Sequence, residues 1–161
     1  MFCYKKATLE ELERIWDRSI RENPDDPRYT RWKRQFIDDN LSGAAATFVI
    51  TADGEPMGEG TLLLSPDCRA IRGRTCLCDG KTSANINALR IQKCCEGQGH
   101  ISRLMREMEN YAKSIGVTRL TIGVEAAETR NLGIYLHWGF DLFLMHEIED
   151  GELVLYYGKN I

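Results

Sequence analysis

Apolar residues recur along this chain in two rhythms, helical and alternating, and the changes of rhythm mark out its elements. Residues 2–7 read as a first strand. Thr8-Leu9-Glu10-Glu11 then has the form of a capping box, a hydroxyl at the helix start with a glutamate three residues on. Leu9, Leu12, Ile15, Trp16 and Ile20 follow at steps of three and four, which places them on one helical face. Asn23-Pro24-Asp25-Asp26-Pro27 breaks that helix. A second is predicted over 27–41, with Tyr29, Trp32, Phe36 and Ile37 on one side. Strands are predicted at 44–52 and 56–64, joined by Asp53-Gly54, a strong two-residue hairpin signal. Residues 65–82 keep no rhythm and read as a loop or hairpin extension. A strand over 83–92 runs into Gly97-Gln98-Gly99, and a helix over 98–115 buries Ile101, Leu104, Met105, Met108, Tyr111, Ala112 and Ile115 in one stripe, with Gly116 to end it. A strand at 118–124, a short helix at 128–138 and strands at 140–147 and 152–158, the last two flanking Asp150-Gly151, complete the chain.

The order is therefore β-α-α-β-β-β-α-β-α-β-β. Hairpins make antiparallel neighbours, whereas the helix between two strands makes a parallel crossover. The expected fold is α/β, with a central mixed, mostly antiparallel sheet of six or seven strands and about four helices. Its 161 residues suit a single domain spanning 1–161. Twenty-four acidic residues stand against 21 basic ones, a balance that argues against nucleic acid as the main partner. No run of ~18 apolar residues marks a membrane helix, and the amino terminus has no signal-peptide pattern. A cytoplasmic location is expected. The six cysteines include Cys76-x-Cys78 and Cys94-Cys95, spacings that fit free thiols better than the paired C-x-x-C of zinc sites, so no metal is expected. His137 and His146 lack partner spacing for a metal or a nucleophile triad.

Chemistry concentrates after the 83–92 strand. A Gly-x-Gly turn that opens an amphipathic helix offers free backbone N–H groups and a partial positive charge, which suits a phosphate or pyrophosphate. A plain tight turn would look the same. A P-loop would need Gly-Lys-Ser/Thr, which is missing. A dinucleotide fingerprint would need glycine where Ser102 stands, and the 36 residues after Glu125 are too few for the second half of a doubly wound sheet.

The chain resembles the GNAT acetyltransferases over nearly its whole length. Cys94-Cys95-Glu96-Gly97-Gln98-Gly99 matches both glycines of that family's Gln/Arg-x-x-Gly-x-Gly/Ala pyrophosphate loop. Asn131-Leu-Gly-Ile-Tyr135-Leu-His-Trp-Gly139-Phe140 reproduces its second signature. Cys94 departs from the usual Gln or Arg, and Glu96 from the usual basic residue, which implies weaker cofactor affinity.

The resemblance implies an enzyme that moves an acetyl group from acetyl-CoA to a primary amine of a small molecule or peptide, or a degenerate acyl-CoA sensor, and it leaves room for a homodimer. Leu89 and Ile91 would pair through their backbone with the pantetheine arm. The N–H groups of Gly97, Gln98, Gly99, His100, Ile101 and Ser102 would hold the pyrophosphate. Asn131 would bind the pantetheine region, and Tyr135 would protonate the departing thiolate. An amine of lysine type has a pKa of about 10.4, so about one in a few thousand is neutral near pH 7 and a base is needed. Asn85 and Asn87, on the strand where some relatives carry a glutamate, cannot take a proton and are placed on the acceptor side. Glu125 is the candidate base. Glu147, Glu149, Asp150 and Glu152 could attract a cationic acceptor or be an ordinary solvated hairpin.

Overall fold

The computed structural model describes residues 1–161. Seven strands form one sheet in the order β1-β2-β3-β4-β5-β7-β6, and four α-helices flank them. The strands are β1 (Phe2–Lys6), β2 (Ala45–Ala52), β3 (Glu55–Leu63), β4 (Ser83–Ile91), β5 (Arg119–Glu125), β6 (Leu142–Glu149) and β7 (Glu152–Asn160). The helices are α1 (Leu9–Glu22), α2 (Arg28–Ser42), α3 (His100–Ser114) and α4 (Thr129–His137). The sheet is mixed as expected: β4 runs parallel to β5, while β1 with β2, β5 with β7 and β6 with β7 are antiparallel. The chain forms two compact units, Met1–Leu62 with Ala88–Met108 and Leu63–Asn87 with Glu109–Ile161.

In the first unit, β1 pairs with β2 from Phe2↔Ala52 to Lys6↔Phe48. The Thr8 capping box is complete: Glu11 N–H donates to the Thr8 hydroxyl at 3.2 Å and Thr8 N–H to the Glu11 carboxylate at 2.9 Å. Lys5 adds an ion pair to Glu11 at 2.8 Å. Leu12, Trp16 and Phe36 form a buried cluster against which Tyr29, Trp32, Ile37 and Ala88 pack, so these aromatics are core. Leu9, expected on the buried face, is instead 46% exposed at the first position of α1. The β2–β3 turn has φ +50° at Asp53 and +85° at Gly54, the positive pair a type I′ hairpin requires.

In the second unit, the segment after β3 is irregular but anchored. Arg74 donates to Glu147 at 2.6 Å and Glu149 at 2.8 Å, and its guanidinium lies 4.9 Å over the Tyr156 ring. Tyr156 donates to Glu149 at 2.6 Å, and burial together with that carboxylate pushes its phenol up to about 12. The Asp79 carboxylate accepts from the N–H groups of Lys81, Thr82 and Ser83 and from the Thr82 hydroxyl, which fixes the start of β4. These backbone bonds, led by that of Ser83, hold the carboxyl far below its ordinary range. The stripe of α3, which begins in the first unit and ends in the second, is narrower than expected: Leu104, Met105, Met108 and Ala112 are buried, but Ile115, past the helix end, is 45% exposed.

Candidate functional site

β4 is straight only at its start. It pairs with β5 from Ser83↔Arg119 to Ile86↔Ile122. Ala88 then takes φ +50°, a left-handed conformation that is uncommon for any residue with a Cβ and recurs where strands kink near functional sites. Past that kink Leu89, Arg90 and Ile91 are half-buried, and Gln92 N–H donates to Met57 O on β3 at 2.7 Å. Gly58 lets the two strands approach there, since a Cβ on it would sit 3.0 Å from Arg90 O.

A short 3₁₀ turn, Lys93–Cys95, which the sequence rhythm did not reveal, leads into the loop. Gly97 and Gly99 have φ +72° and +79°, and nothing lies within 4 Å of where a Cβ would stand on either. Glycine is needed here for conformation, and the space over the loop is open to a ligand. The first α-type bond of α3 is Arg103 N–H to Gly99 O at 3.1 Å. His100, Ile101 and Ser102 therefore open the helix with N–H groups that have no acceptor within it. Gln98 and Glu96 are exposed; Gln98 donates its amide to Cys94 O at 3.1 Å. His100 is buried: Tyr4 OH is 2.6 Å from Nδ1, and Phe2 stacks on the ring at 4.0 Å. Its ring is spent on packing against β1, which leaves its backbone N–H as the group the loop can offer.

A polar cluster that the rhythm of the sequence does not announce lies in this same unit. Glu59 on β3 is 1% exposed and ion-paired with Arg90 on β4. Burial, partly offset by Arg90 and Arg18, pushes its carboxyl up. The guanidinium of Arg90 lies 4.7 Å over the Trp16 ring. A signal was available: Glu59 is the one charge inside the run Pro56–Leu64.

In the second unit, Asn85 is 3% exposed and donates to Thr121 Oγ1 at 2.9 Å. Its amide joins β4 to β5 inside the sheet. Asn87, two residues on, is half-buried. Glu125 ends β5 opposite Val154 and is exposed. Asn131 and Tyr135 both lie on α4. The Asn131 amide is engaged, donating to the Glu128 carboxylate. Burial, with the Glu128 charge behind it, pushes the Tyr135 phenol up, so it holds its proton across the neutral range. Glu147 and Glu149 are tied to Arg74, and a cationic acceptor would have to displace that arginine to reach them. All six cysteines are free thiols. No group of three or more His, Cys, Asp or Glu is placed to hold a metal ion.

Known proteins match at two levels. The family model described as Acetyltransferase (GNAT) family matches residues 9–140. Solved structures share the fold. An N-acetyltransferase from Staphylococcus aureus Mu50 superposes with a TM-score of 0.71 at 13% identity, covering 99% of this chain and 98% of that one. A ribosomal-protein-alanine N-acetyltransferase from Brucella melitensis gives 0.70 at 14% identity, covering 99% of each. An N-acetyltransferase from Thermoplasma acidophilum, in complex with coenzyme A, gives 0.66 at 14% identity, covering 100% and 99%. No curated protein matches the sequence.

Proposed function

The chain belongs to the GNAT acetyltransferase family, and from that we propose that residues 1–161 act as a single enzyme domain moving an acetyl group from acetyl-CoA to a primary amine of a small molecule or peptide. The observation that carries the reading is the loop before α3, where two glycines in left-handed conformation open a helix with free N–H groups and uncovered space. Those N–H groups, from Gly97 to Ser102, hold the pyrophosphate. Leu89 and Ile91, past the kink in β4, offer backbone groups to the pantetheine arm. Asn131 turns its amide from Glu128 to that arm.

The acceptor amine attacks the thioester carbonyl, and the carbon–sulfur bond breaks. Tyr135, kept protonated by burial, gives its proton to the leaving sulfur. Glu125 takes the proton the amine must lose, and Asn87 faces the acceptor. The reading carries with it a cytoplasmic location, no nucleic-acid or membrane partner, no metal, and room for a homodimer.

A catalytically silent acyl-CoA sensor is the second reading. What favours it is the amide of Asn85, buried on the strand where some relatives carry a carboxylate. Calorimetric titration with acetyl-CoA and with CoA, followed by thiol release over an amine panel, separates the two. We expect micromolar binding and turnover. Gly99→Val forces a β-branched residue into φ +79°, at about 1–3 kcal/mol of backbone strain, and should weaken CoA binding about tenfold or more. Binding without turnover on any amine would leave the sensor. No binding at millimolar CoA would refute both.

A further inference from the structure

The Glu59–Arg90 pair is left half made. Arg90 Nε donates to one carboxylate oxygen of Glu59. The other oxygen, Oε2, is buried with no hydrogen-bond partner, and so are Arg90 Nη2 and the indole Nε1 of Trp16. An arginine and a carboxylate that existed only to hold two strands together would close both limbs of the fork. Here one acceptor and one donor stay open on adjacent residues, and a third buried group, the indole N–H, is also unpaired. Buried polar atoms are nearly always partnered in folded proteins, so three in one cluster call for an account.

A pocket opens beside them. It holds about 130 Å³ and is lined by both Glu59 and Arg90, by Arg18, Ser19 and Glu22 of α1, and by Gln92. That is room for roughly four waters, well below the roughly 300–1,000 Å³ of a site for a drug-sized ligand. It fits a small molecule or the head of a larger one. The lining carries two cations and two anions, so it favours a guest with both signs over one with a single charge.

We propose that this pocket binds the acceptor, and that the acceptor is a small zwitterion of the amino-acid class. Its ammonium donates to Glu59 Oε2. Its carboxylate accepts from Arg90 Nη2, with Arg18 adding positive charge to the lining. This rests on the acetyl-transfer reading. It also joins the pocket to the donor, because Ile91, whose backbone is assigned to the pantetheine arm, lines the pocket too. A buried carboxylate with one oxygen unpartnered is costly inside a strand, and an ammonium at that oxygen would offset the cost.

The test uses the intact protein, saturating acetyl-CoA and thiol release, with L-alanine and L-threonine compared with ethylamine and L-alaninamide. The wild-type protein should use the amino acids with kcat/KM about tenfold or more above the compounds that lack the carboxylate. Glu59→Gln should raise KM for L-alanine about tenfold while CoA binding stays within about twofold. Arg90→Gln should abolish the preference for the carboxylate. Equal use of ethylamine and L-alanine by the wild-type protein, or an unchanged KM in Glu59→Gln, overturns the proposal while leaving acetyl transfer intact. Failure to bind CoA would instead sink the underlying reading. In that case, or if no amine turns over, direct titration of the wild-type protein with L-alanine and L-threonine, followed by NMR, decides. Binding at or below the order of 10 mM supports the pocket, and none at that concentration overturns it.

Discussion

Tyr135 shows how much one environment can ask of a side chain. Its phenol has a pKa above the ordinary 10.0 through burial first and the Glu128 charge second. A proton donor must be protonated to act, so an alkaline limb of kcat due to Tyr135 lies above pH 10. Tyr135→Phe should lower kcat about 10²–10⁴-fold with CoA binding unchanged, as stopped-flow turnover and calorimetry would show. A rate within about twofold of the wild type would remove it from the mechanism. His100 makes the opposite point. A histidine in a phosphate-binding loop invites a chemical role, yet its ring is stacked on Phe2 and bonded to Tyr4.

Among the elements, two short polar motifs set the boundaries. Thr8 starts α1 through its capping box, and Thr8→Ala should destabilise the protein by about 1 kcal/mol, read from the urea midpoint. Asp79 starts β4 by accepting from three successive backbone N–H groups. Its native pKa is depressed, so the stability it adds is present above its unfolded value, near pH 4, and is lost as pH falls through the lower native one. The gap in thermal midpoint between the wild-type protein and Asp79→Asn should thus be full at pH 6 and shrink as the pH falls below about 4. A gap independent of pH would refute the ionic account. Motifs of this kind were legible because their signal is local. The capping box spans four residues, and the Asp53-Gly54 hairpin needs only its two positive φ values. The order of strands and helices followed from such local signals, and the GNAT fold from the resemblance carried by two short motifs. Contacts that join distant positions were not legible. Arg74 meets Glu147 and Glu149 from 73 and 75 residues away, so those acids could be read as an acceptor surface from sequence alone. Asn85 could be placed on the acceptor side because nothing in β4 announces Thr121 beside it. The pairing of Glu59 with Arg90 depends on the register of β3 on β4, which periodicity does not give.

For the molecule as a whole, ligand linkage gives a test independent of catalysis. CoA at about 100 times its dissociation constant should add about 2.7 kcal/mol, which for a chain of 161 residues raises the thermal midpoint by roughly 5–10 °C. No shift at that concentration would deny binding to the native state. The strand order has a consequence for synthesis as well. β7 lies between β5 and β6, although it follows both along the chain. While the ribosome extends the polypeptide at roughly 5–20 residues per second, β5 is made with its β7 side unpaired, and β6 emerges with Leu142, Phe143 and Ile148 and no neighbour to bond to. For a second or more the nascent protein carries strand edges that stay open until β7 enters the gap between them.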